Sequence, residues 1–191
     1  MSNVDRCNGF RPVKHSNGSP WNGLVNKYYL PSGDSTATFV GDFVKSGGSA
    51  DALAHYATVA QAAANNYIRG SIVAFAYNPT DLSLKYRAAA AVTYCWVCDA
   101  PDVIFEGQED SDSANLAATS VGMNADIVVG SGNTTTGASG MEIDSDSPST
   151  TASAQLRILG LVNREDNALG TNARWLVLVN EHEFKTTSGV D

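Results

Sequence analysis

The feature that most constrains this chain is its last pair of apolar runs. Leu156-Arg157-Ile158-Leu159-Gly160-Leu161-Val162 leads into a polar turn, residues 163–171, and the chain returns as Arg174-Trp175-Leu176-Val177-Leu178-Val179. Successive side chains of a strand point to opposite faces, so a strand with one wet face alternates apolar and polar residues. Runs this dense in Leu, Val and Ile ask for cover on both sides. One cover is the protein's own core. The other is a second layer or another protein.

The rest of the chain extends this β reading. Strand-like runs occur at Thr38 to Lys45, Tyr67 to Phe75, Ala90 to Val97, Val103 to Phe105 and Ala125 to Val129, with Gly, Ser, Asn and Pro turns between them. Short strands at this spacing predict a sandwich or barrel. Two alanine-rich stretches are ambiguous. Asp51 to Asn66, with Ser49 as a cap, reads equally as a short helix or, around His55 to Val59, as a strand. Ser111 to Ala118 suits a single helical turn. Residues 1–30 are broken by Asn8-Gly9, Pro12, Asn17-Gly18, Pro20 and Asn22-Gly23 and carry no apolar period. They read as an extended N-terminal arm, with Trp21, Tyr28 and Tyr29 as anchors that bury much area at little entropic cost. The expected organisation is an arm over residues 1–30, one β domain over 31–185 and a tail over 186–191. The expected fold is all-β: a β-barrel or β-sandwich of short antiparallel strands with at most one or two short helices.

Charge narrows the function. Twelve Lys and Arg stand against 20 Asp and Glu, a net charge of −8. Nucleic-acid affinity rests largely on neutralised phosphates, so a chain with no basic run is not expected to bind DNA or RNA directly, nor an anionic membrane. No run of apolar residues reaches the length of a membrane-spanning helix. The first ten residues lack the apolar core of a signal peptide. Three cysteines suit a reducing compartment rather than a disulfide framework. The expectation is synthesis and folding in a cytoplasm.

Catalytic and metal-binding patterns are sparse. Cys95-Trp96-Val97-Cys98 has redox spacing, but a redox pair sits at a helix N-terminus, whereas Val92 to Val97 reads as a strand. Residues three apart on a strand face opposite ways, so the two sulfurs should diverge and be buried structural thiols. Cys7 and the isolated His15, His55 and His182 complete no zinc set, and the histidines are expected at the surface or an interface. No nucleophile elbow is present. Glu106, Glu109, Asp110 and Asp112, then Glu142, Asp144 and Asp146, read as solvated loops at strand ends, with weak calcium binding or paired-carboxylate hydrolysis as the alternatives. The glycines match no phosphate loop. No enzyme, cofactor or metal is expected.

A set of segments carries a resemblance: Phe10-Arg11-Pro12-Val13, then Phe39 to Lys45, Ala62-Ala63-Ala64 leading to Ile68 to Val73, Leu82 to Arg87, Val103 to Asp110, Leu156 to Leu159 and Trp175 to Glu183. Their order resembles capsid decoration, or cement, proteins of tailed bacteriophages. The resemblance implies a virion structural protein on the outer capsid surface that bridges major capsid proteins and resists the pressure of packaged DNA. It also implies a homo-oligomer, with a trimer favoured over a dimer. A clamp of this kind needs apolar anchors and many copies bound together. Contact with the capsid or with other copies is expected at Arg11, Trp21, Tyr28 and Tyr29 in the arm and at Arg174 and Trp175 in the final hairpin. Deleting residues 1–30 is expected to abolish decoration and leave the β domain folded. The rival readings are a receptor- or glycan-binding module on a virion surface, which needs an aromatic platform, and a hydrolase, which needs two converging carboxylates.

Overall fold

The computed structural model describes residues 3–146, 148–187 and 189, an all-β molecule without an α-helix among them. Twelve strands follow in order: β1 (Arg11–His15), β2 (Asn26–Leu30), β3 (Phe43–Ala50), β4 (Ala57–Gln61), β5 (Gly70–Phe75), β6 (Thr93–Cys98), β7 (Val103–Gln108), β8 (Asn124–Ala125), β9 (Ile127–Gly130), β10 (Gly140–Ile143), β11 (Leu156–Leu161) and β12 (Arg174–Val179). Two single 3₁₀ turns lie at Ala118–Ser120 and Glu183–Lys185.

Two bodies share one core. Strands β2-β4-β3-β5-β6 close a small barrel, and β1-β7-β12-β11-β8 form an antiparallel sheet, with the β9/β10 hairpin beside them. Among the strand pairs of the described residues, β2–β4, which shuts the barrel, is the parallel one. Tyr28, Leu30, Val44, Val59, Ile72, Cys95 and Val97 fill the barrel interior. The larger core contains Phe43, Ile68 and Cys98 from the barrel's side and Phe105, Trp175, Val177 and Val179 from the sheet. Closure leaves the barrel no free edge, which removes a common route to aggregation.

The alanine-rich stretch forms β4 rather than a helix. Val59 points into the barrel, Thr58 is buried on the other face, where its Oγ1 accepts from Ser49 N at 3.1 Å, and the strand is paired on both sides, with β3 and β2. The following turn is tied down by the fully buried Gln155, whose Nε2 donates to the carbonyls of Ala63 and Asn66 at 2.9 and 2.7 Å. Tertiary pairing thus outweighs local alanine propensity. In the second ambiguous stretch the helical turn falls at Ala118–Ser120, starting on the last residue of the expected span.

Residues expected to form an arm are built into the body. β1 pairs with β7, and β2 is a barrel strand paired with β6 and β4. Phe10 is fully buried, stacked 4.2 Å from Phe43, and its carbonyl accepts from Ser71 Oγ at 2.7 Å. Gly107 makes room for it: a Cβ at that position would lie 2.6 Å from the Phe10 ring. Removing residues 1–30 would take a stave from the barrel and an aromatic from the core, so the β domain cannot survive it intact. Of the tail expected at 186–191, residues 188, 190 and 191 lie outside the described residues.

Candidate functional site

The final hairpin meets its two covers unequally. Trp175, Val177 and Val179 of β12 turn into the core and are at most 1% exposed. Leu176 and Leu178 turn outward and remain half-buried. Strand register sets their neighbours. Leu176 lies opposite Glu106 and Leu178 opposite Ile104 of β7, Arg157 of β11 lies opposite Leu178, and Arg11 and Lys14 of β1 lie opposite Glu106 and Ile104. A bulge between Ile158 and Gly160 accompanies an exposed Leu159. The outer face therefore carries a short apolar strip, Leu159, Leu176 and Leu178 beside a buried Ile104, set among arginines.

Beside the strip lies a groove of about 500 Å³, between residues 3–11, the end of β7 and the β11–β12 turn. The Asn3 side chain latches its two walls, donating to the carbonyls of Ala168 and Thr171 at 2.8 and 2.9 Å and accepting from Ala168 N at 2.9 Å. Asn167 fixes the turn itself, accepting from Arg174 N at 2.9 Å and donating to Val162 O at 2.8 Å. Glu106 accepts from Arg164 at 3.0 and 3.3 Å and from Arg174 at 3.4 Å, while Arg164 also reaches Asp166 at 3.0 Å. Arg174 continues to the carbonyl of Arg6. Arg6 and Arg11 line the same groove, and neither has an ion-pair partner among the described residues. Strip and groove together hold Arg6, Arg11, Lys14, Arg157, Arg164 and Arg174, six of the chain's 12 Lys and Arg, but only Glu106 and Asp166 of its 20 acids.

The six contact residues expected from sequence separate into three groups. Arg11 and Arg174 come together in the groove. Tyr29 stands on the outside of the barrel. Trp175, Tyr28 and Trp21 belong to the interior: Trp175 is 0% and Tyr28 7% exposed, and Trp21 packs half-buried against the larger core. Trp175 and Tyr28 thus offer no surface to a partner. Tyr28 instead donates to Asp99 at 2.6 Å in a buried network that also takes the Asn26 amide.

Arg6 and Arg164 of the groove were not foreseen from sequence, and Glu106, expected in a solvated loop, lies half-buried within β7 under two arginines. The polar outward positions 157 and 174 in an otherwise apolar hairpin are the signal that marks this face. Sequence reading also missed an aromatic surface on the barrel. Cross-strand register puts Lys27 beside Trp96 and Tyr29 beside Tyr94. Tyr94 and Tyr29 lie 5.4 Å apart, Tyr56 meets Tyr94 edge-on at 5.4 Å, and the Lys27 ammonium sits 4.1 Å from the Tyr94 ring and 4.6 Å from that of Tyr56. Such cation–π contacts stabilise the surface locally.

Titratable groups elsewhere are arranged for structure. Cys95 points into the barrel and Cys98 into the larger core, so the two thiols diverge across the strand. Burial pushes both thiols, and that of Cys7, up to about 12, which suppresses the nucleophilic thiolate. His15 Nδ1 lies 3.0 Å from Asp102, and His55 is exposed. His182, expected at a surface, is 1% exposed, and burial, assisted by Lys185, lowers its pKa to about 4. It sits where residues 181–183 dock on the barrel: Ile68 N donates to Glu181 O at 2.9 Å, and Glu183 pairs with Arg69.

The acidic residues organise loops. Glu109 is fully buried rather than solvated, accepting from Leu116 N at 2.6 Å. Asp110 accepts from Ser145 Oγ at 2.7 Å. Asp112 is raised by repulsion from Asp110, with burial and Asp146 adding to it. Glu142 receives the Gln108 amide, which also donates to Asp5, and burial together with Asp5 and Asp110 raises its pKa to about 7. No group of three or more His, Cys, Asp and Glu among the described residues could hold a metal ion.

Comparison with protein families, with curated proteins and with solved structures finds no match to this chain.

Proposed function

We propose that this chain is a capsid decoration subunit, a non-enzymatic virion protein that binds the outside of a tailed-phage head and bridges its major capsid proteins. The observation that carries the reading is the outer face of the β7-β12-β11 sheet. Its apolar strip of Leu159, Leu176 and Leu178, beside a buried Ile104, is left half-covered and bordered by arginines. Apolar centres with a polar rim, enriched in Arg, characterise protein interfaces. The strip is small, so a single contact is weak; repetition over a shell, and the trimeric association that the resemblance implies, let weak contacts hold firmly. The rest of the molecule supplies a rigid mount, with a closed barrel behind the sheet and buried polar groups spent on loops. The test is cosedimentation of the purified protein with phage heads stripped of decoration. Saturable binding that Leu178→Asp abolishes supports the reading, and a lack of binding to any such head overturns it.

A second reading, a receptor- or glycan-binding module, draws on the aromatic surface of Tyr29, Tyr56, Tyr94 and Trp96 around Lys27. Aromatic rings with wet hydroxyl ends suit ligands that are partly apolar and partly polar. Glycan binding lost in Tyr29→Ala, with head binding absent, would favour it over the first.

A further inference from the structure

We infer that the arginine groove is a binding site for paired carboxylates of an acidic peptide segment. This deepens the decoration reading and rests on it, because the segment is then part of the shell protein.

Four arginines, Arg6, Arg11, Arg164 and Arg174, line the groove together with two carboxylates, Glu106 and Asp166. The surplus is two positive charges, which matches two carboxylates and falls well short of what a polyanion would require. The groove already holds one carboxylate in the way proposed: Glu106 lies under Arg164 and Arg174. That internal pair anchors Arg164 and Arg174 and leaves Arg6 and Arg11 as the groups with donors to spare. A guanidinium offers five N–H donors in a planar fork that fits a carboxylate. The walls are fixed before any ligand arrives, by the Asn3 latch on one side and Asn167 on the other, so little ordering opposes binding. Charge elsewhere adds selectivity. Asp110 and Asp112 lie close by, since Ser111 Oγ accepts from Asn172 N at 2.8 Å and Asn172 lines the groove. These acids repel a dense polyanion while leaving room for a segment with two spaced carboxylates.

Free phosphate or a small tricarboxylate offers related oxyanions, and the test separates these sources. The full chain is titrated by calorimetry with a peptide carrying two spaced glutamates, its glutamine counterpart, citrate and inorganic phosphate. The glutamate peptide is expected to bind, more weakly as salt rises, and the glutamine peptide is not. Arg6→Gln with Arg11→Gln should weaken binding about a hundredfold, the loss of two charge-assisted contacts, while Lys85→Gln, at an exposed position outside both strip and groove, leaves it unchanged. No binding of the peptide at about 1 mM, equal binding of the glutamine peptide, tighter binding of phosphate or citrate, or indifference to the paired Arg6 and Arg11 change would each overturn the inference. Heads decorated normally by a protein that ignores the peptide would sink the groove and spare the decoration reading; peptide binding without head binding would do the reverse.

Discussion

Replacing Phe10 by alanine tests whether the N-terminal residues belong to the body. Phe10 is fully buried, stacked on Phe43 at 4.2 Å, and Phe43 in turn meets Phe105 edge-on at 5.2 Å. Truncating such a ring removes its transfer energy and leaves a cavity, at a cost of about 3–5 kcal/mol. For a chain of this size each kcal/mol lowers the melting midpoint by about 2–4 °C, so a fall of roughly 6–20 °C is expected. The partner substitution is Gly107→Ala. Its added methyl would stand 2.6 Å from the Phe10 ring, an overpacking cost of about 1–3 kcal/mol. With the ring gone the methyl has space, so Phe10→Ala with Gly107→Ala should be no less stable than Phe10→Ala alone. Urea unfolding of the four proteins gives the coupling directly. A Phe10→Ala midpoint equal to that of the unsubstituted protein, or strictly additive costs, would refute the placement of this residue and restore a detachable arm.

Further outcomes follow from buried groups. Glu142 is raised to about 7 mainly by burial and then by Asp5 and Asp110. Its folded pKa lies above the unfolded one, so its contribution is complete below about pH 4.5 and is lost as pH rises through about 7; Glu142→Gln should flatten this part of the stability–pH curve and raise the melting midpoint at pH 8. His182, lowered to about 4 by burial, acts in the opposite direction: its contribution is complete above about pH 6.5 and is lost as pH falls through about 4, which His182→Gln should remove from an acid titration. Arg87, 2% exposed, donates to the carbonyls of Pro31, Asp34, Thr36 and Ala91 and pairs with Asp34 at 2.9 Å; Arg87→Met leaves those acceptors without it and should cost about 3–5 kcal/mol in urea unfolding. The three thiols, all raised to about 12, should react with a disulfide reagent at pH 8 only on unfolding.

The layered β architecture was legible because it rests on local pattern. Dense apolar runs and turn residues marked the strands later seen as β5, β6, β7, β11 and β12, and the strand phase of Cys95 and Cys98 foretold that their sulfurs diverge. What stayed hidden depends on distant partners. β1 and β2 look like loop because Gly and Pro surround them, yet β7 and β6 supply their pairing. β4 looks helical by composition, yet the barrel needs it to close. In the site, Arg11 and Arg174 were within reach of the hairpin argument. Arg6 and Arg164 were not, since they meet only through the Asn3 latch and the Glu106 bridge. Trp175 misled because aromatic character marks core and interface alike; its inward phase on β12 decides between them.

Under the decoration proposal, the outer sheet face is where this protein meets a shell. Quantitative occupancy of stripped phage heads, for the unsubstituted protein and for Leu176→Asp with Leu178→Asp, measures it most directly. Those two side chains point away from the core, so the variant should keep its melting midpoint. Saturable occupancy is expected for the unsubstituted protein and near-zero occupancy for the folded variant. Equal occupancy of both, or none by either, would contradict the proposal.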